Sequence, residues 1–483
     1  MPETAGHLPG LAADAVAWRT LTFGYGGEPL EVAVPALDEA QIFALAERIR
    51  QARASYLKGL STGQIVATID RAIGQLLDRS DPWRRKMEAL LPRVTGYDAE
   101  MIRLGLTGYL KTFRAPELHR FVAEDFANPQ MLDSFQPTVK GGVVKAVGPD
   151  VMVHIWAGNV PGLPLWSLIA GLLVKAGSIG KVASAEPLFA GWFAKVLGEI
   201  DPRLADCLAV VWWKGGDEAP ERALLRQADL VLAYGGVNAL EQIRNRVPAT
   251  TRFLGFGHKI SFGMIAREAL DPRKVWGIAH RAAHDVVRYD QQGCYSPQVF
   301  FVERGGRTSP REFSQYLAHE LAAFEHKFPR RRLSFNESGN VAAWRNAEET
   351  KSLTQVDRQI WHDAAGAWSV VHVEEPEGLA PSGLNRTIRV VAVDALADAI
   401  PRLAPFRAYL QTVGLAAPPQ DLYRIGALLG DAGVTRICAL GDMTEPEAGW
   451  HHDGRFNLLD LITMVGIDRS TEIAAEELAP YAD

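Results

Sequence analysis

The spacing of apolar positions changes part-way along the chain. Up to about residue 135 they recur on a helical period, most clearly over residues 38–56. Helix-start signals support this reading, since residues 61–64 read Ser-Thr-Gly-Gln and match a capping box. Asp81 precedes Pro82, which places a capping carboxylate before proline at the first helical position. We therefore expect residues 1–135 to form a mainly helical N-terminal part.

Beyond residue 148, short apolar runs alternate with amphipathic segments. The predicted strands are residues 151–156, 179–183, 209–213, 230–234, 253–256, 298–303, 369–374 and 387–393. The predicted helices are residues 163–175, 188–199, 218–227, 238–245, 272–288, 310–327 and 395–412. Strands alternating with helices predict βαβ units and a parallel sheet, so the fold class is α/β.

The domain boundaries follow from the same pattern. A second α/β block begins near residue 250, and the Pro/Gly-rich segment 376–385 is the predicted crossover between domains. We expect a cofactor-binding domain of residues 136–249 plus about 382–440, with a catalytic domain of residues 250–381 between these parts. Residues 441–483 form the predicted C-terminal tail.

Composition narrows the function classes. With 483 residues, 47% hydrophobic, 22% charged and a net charge of -6, the chain is typical of a globular protein. The negative charge argues against nucleic acid as a general partner. Residues 1–16 lack a secretory pattern, and the longest mainly apolar run, 163–174, is too short to span a membrane. We expect a cytoplasmic protein, in a reducing setting where a free thiolate survives.

The contexts of the cysteines can be compared directly, because the chain has only three. Cys207 opens an apolar run and Cys438 lies inside one, so both are interpreted as small buried hydrophobic residues. Cys294 alone lies on a polar, glycine-bearing turn between a predicted helix and a predicted strand. That position makes Cys294 the candidate nucleophile.

No segment carries a complete dinucleotide-binding glycine motif. The motif is Gly-x-Gly-x-x-Gly, and the two best candidates both lack its third glycine. Gly24 and Gly26 are followed by Pro29 at that position, and Gly255 and Gly257 are followed by Ile260. Gly235 and Gly236 end a predicted strand and open a helix, so backbone N–H groups there could face a phosphate. The alternative interpretation is a pair of glycines that only forms a tight turn.

Other polar clusters point less clearly to chemistry. His280 and His284 have the i, i+4 spacing of metal ligands, but no third ligand is evident, so we expect no metal. The run of arginines at 330–332 predicts a solvated face, with contact to CoA phosphates or an acidic partner as the alternative. His451 and His452 are predicted at an interface or surface.

Taken together, these segments resemble the aldehyde dehydrogenase superfamily. Residues 156–161 resemble its Asn-Phe-Pro segment, 181–184 its ribose-binding segment and 234–236 its phosphate turn. The sequence separation between Asn159 and Cys294 is also close to the separation between the corresponding asparagine and cysteine of the superfamily. The closer resemblance is to the LuxC-type acyl-CoA reductases, through motifs at residues 157–161, 256–259, 290–294, 384–387 and 450–454.

The resemblance implies roles for the catalytic residues. Cys294 would attack an acyl thioester, and the Asn159 amide would help to hold the oxyanion. His258 would act as base or proton donor; the alternative is a structural histidine beside a tight turn. Gly255 stands where the superfamily has its general-base glutamate, and residues 242–267 contain no carboxylate. Without that base, water should release the acyl group slowly, so an acyl-enzyme can wait for hydride.

The resemblance also implies a nicotinamide cofactor. Lys181 would meet the adenosine ribose, and Gly235 and Gly236 would lie near the phosphates. Ser184 replaces the glutamate that binds the ribose in the superfamily. A hydroxyl does not repel a 2′-phosphate as a carboxylate would, which favours NADPH, with NADH as the other option.

The predicted function is NADPH-dependent reduction of a fatty acyl thioester to the aldehyde through an acyl-cysteine. The acyl donor is acyl-CoA or an acyl-protein, and the resemblance implies an acyl-protein ligase subunit and a homo-oligomer as further partners. One alternative is a CoA-acylating aldehyde dehydrogenase working oxidatively. The other is a non-catalytic scaffold subunit, against which the presence of both Asn159 and Cys294 argues.

Overall fold

The computed structural model describes residues 2–25, 27–375 and 377–480. Gly26 and Pro376, which belong to segments discussed above, and the tail beyond residue 480 lie outside the described residues. The helices are α1 (Glu39–Ser55), α2 (Thr62–Leu77), α3 (Pro82–Thr95), α4 (Ala99–Lys111), α5 (Ala115–Asp125), α6 (Pro164–Leu173), α7 (Phe189–Ile200), α8 (Pro202–Ala205), α9 (Glu218–Leu225), α10 (Val237–Arg246), α11 (Val275–Val287), α12 (Pro310–Lys327), α13 (Phe335–Thr354), α14 (Pro419–Ala432) and α15 (Arg469–Glu476).

The strands confirm the predicted α/β class. They are β1 (Glu3–Thr4), β2 (Ala17–Phe23), β3 (Leu30–Ala36), β4 (Gln136–Pro137), β5 (Val143–Val147), β6 (Val151–Ile155), β7 (Gly177–Lys181), β8 (Leu208–Val211), β9 (Leu230–Tyr234), β10 (Arg252–Phe256), β11 (Ile260–Ile265), β12 (Pro297–Glu303), β13 (Arg358–His362), β14 (Ser369–Val373), β15 (Thr387–Val393), β16 (Leu410–Ala416), β17 (Arg436–Ala439) and β18 (Thr463–Ile467). None of the helices in the described ranges combines the length and hydropathy that a bilayer span requires.

The N-terminal helices begin where the sequence signals predict. Asp38 caps α1 and Ser61 caps α2, each in a capping box with the glutamine three residues on. The Asp81 carboxylate accepts hydrogen bonds from the first-turn N–H groups of α3. Each cap stabilises its helix by about 1 kcal/mol. A small sheet of order β1-β3-β2, which the sequence patterns did not predict, precedes these helices.

The first compact unit comprises Met1–Leu90, Leu106–Gly257 and Glu447–Asp483. Its main sheet has the order β10-β9-β6-β7-β8, and every neighbouring pair is parallel. Read in chain order this is the doubly wound arrangement 3-2-1-4-5, in which the direction of winding reverses between β6 and β9. Ligands of such sheets bind beyond the carboxyl ends of the strands at that reversal.

The second compact unit comprises Leu91–Gly105 and His258–Pro446. Its sheet has the order β13-β14-β15-β12-β11-β16-β17 and is parallel except where β13 meets β14. Every residue of the inner strand β15 is buried, as expected for a parallel sheet covered by helices on both faces.

The structure corrects three sequence-based assignments. Residues 395–412 do not form an α-helix; 3₁₀ turns over Leu396–Tyr409 lead into β16. Pro401 and Pro405 lack the N–H groups that a continuous helix needs. The structure instead places residues 382–440 in the second unit, where β15, β16 and β17 extend its sheet. Strand β10, predicted to open the catalytic domain, pairs with β9 in the first unit.

His154 is the fourth of the five residues of β6, and its ring is fully buried. Neither ring nitrogen has a hydrogen-bond partner among the described residues, and the ring stacks on Trp156 with centroids 5.5 Å apart. Burial lowers the pKa of His154 from 6.5 to about 3, so the ring is neutral in the folded protein at neutral pH.

We expect His154 to make the fold sensitive to acid. Because its folded pKa of about 3 is below the ordinary 6.5, its contribution to stability is complete above pH 6.5 and is lost as the pH falls towards 3. The loss should approach about 1.4 kcal/mol per pH unit. Urea unfolding at pH 7, 6 and 5 should show a shallower fall in unfolding free energy for His154→Phe than for the natural protein. Equal falls would contradict the assignment.

Candidate active site

Cys294 follows an unusual stretch of backbone in the second unit. Helix α11 ends at Val287, and Tyr289, Asp290 and Gln291 then adopt φ values of 49°, 48° and 62°. Left-handed backbone of this kind disfavours residues other than glycine by about 1 kcal/mol or more each. Such a loop persists only where its surroundings hold it in place.

A second left-handed stretch holds the first. Leu384, Asn385 and Arg386 have φ values of 53°, 51° and 68°. The Asn385 N–H donates to the Asp290 carbonyl at 3.0 Å, and the Arg386 guanidinium donates to the Asp290 carboxylate at 2.7 Å. Asp290 and Arg386 are each only 1% exposed. The two segments are therefore joined by a buried, hydrogen-bonded ion pair.

Further charges complete this cluster. Arg386 also donates to Glu325 at 2.6 Å, and the Arg331 N–H donates to the second carboxylate oxygen of Asp290 at 3.1 Å. The Arg331 side chain pairs with Glu337. Arg331, predicted on a solvated face, is thus part of the support for the cysteine loop.

Gln291 ties the same loop to the sheet. Its side-chain amide donates to the carbonyls of Pro297 and Thr387 at 2.8 and 3.1 Å. The Thr387 N–H donates back to its carbonyl oxygen at 3.0 Å. The loop is consequently anchored at the starts of both β12 and β15.

The immediate surroundings of Cys294 are built from β11 and β16. The Gln411 side-chain amide donates a hydrogen bond to the Cys294 Sγ at 3.3 Å. The Ser261 hydroxyl donates to the Cys294 carbonyl at 2.8 Å and accepts from the Thr412 N–H at 3.1 Å. A Cβ at Gly293 would lie 2.3 Å from the Tyr295 ring, so a larger residue there would have to displace that ring. The thiol is half-buried and its loop is fixed on both sides.

The other two cysteines are poor nucleophiles. Burial raises the pKa of Cys207 and of Cys438 to about 12 each. Cys207 is fully buried and Cys438 is half-buried in β17. Thiols that stay protonated are chemically inert, so Cys294 is the candidate for covalent chemistry.

The first unit carries the predicted oxyanion donor, Asn159, and the predicted cofactor residues at the carboxyl ends of its parallel strands. Asn159 is exposed in the loop after β6, next to the reversal of the sheet. A Cβ on the neighbouring Gly158 would lie 3.0 Å from those of Ala183 and Ala185, so glycine lets the loops after β6 and β7 touch.

Lys181 and Ser184 lie beside these loops. Lys181 ends β7 with its ammonium 5.9 Å from the centre of the Trp213 ring, and burial lowers its pKa. The exposed Ser184 hydroxyl accepts a hydrogen bond from the Trp212 indole at 3.0 Å. Both side chains fit a cofactor ribose, because one is a cation with little hydration and the other an uncharged oxygen.

The glycines after β9 fit a phosphate group. The Gly235 N–H donates a hydrogen bond to the Phe256 carbonyl at 3.2 Å. Gly236 is the N-cap of α10 and has no side chain to bind the first-turn N–H groups. The start of α10 therefore presents backbone donors at the carboxyl edge of the sheet.

Sequence reasoning missed an aromatic stack at this edge. His452 stacks on Phe256 with centroids 4.6 Å apart and on Tyr234 at 6.1 Å, and Trp450 lies 4.9 Å from His452. The C-terminal segment thus covers the ends of β9 and β10 rather than lying on an unrelated surface. No local signal in the sequence marks this stack, because its members lie on β9, on β10 and in the C-terminal segment.

The remaining predicted histidines have separate settings. His258 is exposed and makes no hydrogen bond or ion pair with any residue that the structure describes, so its proposed role is still a prediction. His280 pairs with Glu320 at 2.7 Å, whereas His284 contacts the Gly441 carbonyl at 3.2 Å. Within residues 2–25, 27–375 and 377–480, no group of three or more metal-ligating side chains comes together.

Comparison with known proteins decides the family. The model of a family described as acyl-CoA reductase (LuxC) matches residues 57–464. The chain belongs to the LuxC acyl-CoA reductase family. The predicted resemblance is confirmed, and membership makes this LuxC-family chain an acyl thioester reductase.

Relatives and solved structures agree with this assignment. The long-chain acyl-protein thioester reductase of Photorhabdus luminescens is 26% identical over 394 residues, 80% of this chain and 78% of that protein. Long-chain acyl-protein thioester reductase 2 of Photobacterium leiognathi is 24% identical over 471 residues, 95% and 93% of the two chains. An indole-3-acetaldehyde dehydrogenase complexed with NAD⁺ superposes with a TM-score of 0.74 at 16% identity, covering 97% of this chain and 96% of its own. The aldehyde dehydrogenase KauB of Pseudomonas aeruginosa superposes with a TM-score of 0.74 at 15% sequence identity, covering 97% of this chain and 96% of its own. The predicted aldehyde dehydrogenase-like fold is confirmed.

Removing the Arg386 charge should destabilise the protein strongly. Arg386→Met leaves the buried Asp290 carboxylate without its main partner, and breaking such pairs costs about 3–5 kcal/mol. The matched control is Arg424→Met, which removes an exposed pair with Asp421 on α14 and should cost at most about 1 kcal/mol. Denaturant unfolding monitored by tryptophan fluorescence measures both. Equal effects of the two substitutions would contradict the supporting role of Arg386.

Proposed function

We propose that this enzyme reduces a long-chain acyl thioester to the aldehyde with NADPH, through an acyl intermediate on Cys294. The observation that carries the proposal is the environment of Cys294. Its sulfur accepts a hydrogen bond from the Gln411 amide, and its loop is held by buried ion pairs. The names of the relatives, long-chain acyl-protein thioester reductases, support the acyl class and favour a protein-bound donor.

The first step is acyl transfer to the enzyme. The Cys294 thiolate attacks the thioester carbonyl carbon, and a tetrahedral oxyanion forms. The Asn159 side-chain amide and the Cys294 N–H are the proposed donors to that oxygen; losing one such donor typically lowers the rate by ~10²–10³-fold. The C–S bond to the carrier then breaks, and the carrier sulfur leaves with the electron pair as a thiolate, to which His258 is the proposed proton donor. The acyl group stays on Cys294.

The second step needs a hydride and must avoid water. When bound, the nicotinamide supplies the hydride that reduces the acyl carbon. Collapse of the resulting tetrahedral species breaks the bond between that carbon and Cys294, which releases the aldehyde and restores the thiolate. Gly255 provides no base that would direct water at the acyl group, so hydrolysis should not compete.

Residues of the first unit would hold the cofactor. Lys181 and Ser184 are the proposed ribose contacts, and the start of α10 at Gly236 is the proposed phosphate site. The uncharged Ser184 hydroxyl supports NADPH over NADH. The oxidative, CoA-acylating direction would use the same groups and is the second candidate. A ligase subunit as partner and a homo-oligomeric state are still predictions from the resemblance.

Replacing the nucleophile should abolish turnover. Cys294→Ala is expected to lower NADPH-dependent aldehyde formation to background with acyl-CoA and with acyl-protein donors, because the other two thiols stay protonated at neutral pH. Cys207→Ala is the matched control and should retain activity, since that thiol is buried and protonated. NADPH absorbance and trapped aldehyde are measured together. Unchanged turnover in Cys294→Ala would rule out the acyl-cysteine route.

A carboxylate at Ser184 should reverse the cofactor preference. Ser184→Glu places a negative charge at the proposed ribose contact, which repels a 2′-phosphate and can accept hydrogen bonds from a free ribose. We expect weaker NADPH binding, by about tenfold or more, with NADH binding retained or improved. Fluorescence titration gives both dissociation constants, and Ser184→Ala serves as the uncharged control. An unchanged ratio of the two constants would place the 2′-phosphate elsewhere.

A further inference from the structure

We propose that Gln411 is a catalytic residue that stabilises the Cys294 thiolate by hydrogen bonding directly to its sulfur. The inference rests on the proposed role of Cys294 and adds the group that activates it. Upstream helix α11 ends before the cysteine loop, so its N-terminal, positive end does not point at the sulfur. Gln411 supplies a local N–H donor instead.

The orientation of the Gln411 amide favours donation to sulfur. Its Nε2 lies 3.3 Å from the Cys294 Sγ, a short distance for a nitrogen–sulfur contact. Its Oε1 lies 3.5 Å from the Thr412 hydroxyl, which can donate to it. This long contact is compatible with the amide orientation in which the oxygen faces the hydroxyl and the NH₂ group faces the sulfur.

The fold fixes Gln411 in this position. The side chain is 0% exposed, and the backbone carbonyl accepts the Thr435 N–H at 3.0 Å. The register between β11 and β16 shifts at this point, because Ile260 pairs with Leu410 but Phe262 pairs with Val413. One extra residue of β16 therefore lies opposite Ser261. Bulges of this kind re-aim side chains beside active sites.

The hydrogen bond serves two stages of the proposed reaction. Before attack, it favours the thiolate over the thiol, since only the anion is a strong acceptor. After hydride addition, the bond between carbon and the Cys294 sulfur breaks and the electron pair returns to sulfur. The Gln411 N–H then stabilises that leaving thiolate. The amide gives up no proton in either stage.

The test is the pH dependence of Cys294 alkylation by iodoacetamide, followed by peptide mass mapping. Gln411→Met removes the donor at nearly constant volume, and Gln411→Glu replaces it with an isosteric acceptor. We expect the midpoint of alkylation to rise by about one to two pH units in Gln411→Met, and at least as far in Gln411→Glu. Gln359→Met is the matched control, because Gln359 lies on β13 and contacts Arg311 rather than the thiol. Its midpoint should not move.

The outcomes separate this inference from the proposed function, because alkylation needs neither substrate nor cofactor. A raised midpoint supports Gln411 even if the natural protein shows no reductase turnover. An unchanged midpoint in a folded Gln411 variant overturns the inference even if turnover depends on Cys294. Thermal unfolding identifies folded variants, and the isosteric Gln411→Glu decides the question if Gln411→Met does not fold. Buried Cys207 should stay unreactive in every variant.

Discussion

The buried pair between Asp290 and Arg386 is the interaction on which the candidate active site depends. It joins two stretches of left-handed backbone that would each be unfavourable alone, one before Cys294 and one before β15. Removing water from both charges is tolerable because further polar groups bind to the pair: the Arg331 backbone N–H donates to Asp290, and Glu325 accepts from Arg386. The strain of the cysteine loop is thereby balanced by specific polar contacts rather than by apolar packing.

This construction suits a covalent catalyst. A nucleophile on a flexible loop would have to be ordered at each turnover, whereas here Gln291, Ser261 and Gln411 fix the backbone and the sulfur in advance. The same design leaves out a base for water at Gly255. In the proposed mechanism, thiolate activation and protection of the acyl-enzyme therefore come from different parts of the chain. The first adds a hydrogen-bond donor at Gln411, and the second omits a carboxylate at Gly255.

Local pattern predicted individual elements far better than their partners. Strand β9 was predicted with its observed bounds, because an apolar run ends at Gly235. Strand β16 was missed, because its Leu-Gln-Thr-Val start follows a segment with helix-like apolar spacing. Cys294 stood out through its polar surroundings. Gln411 did not, because its contact with the sulfur spans 117 residues and no local signal marks it.

The sequence by itself determined the fold class and the family and pointed to Cys294 as the candidate nucleophile. Each of these depends on residue types at short spacing: apolar periodicity, motif order and the polar surroundings of one cysteine. Tertiary structure alone decided which sheet each strand joins, that Arg331 and Arg386 support the cysteine loop, and that Gln411 reaches the sulfur. The physical reason is that strand pairing and buried ion pairs are selected by the free energy of the whole packed unit. Residues far apart along the chain contribute to that free energy as much as neighbouring residues do, so a local sequence pattern cannot predict it.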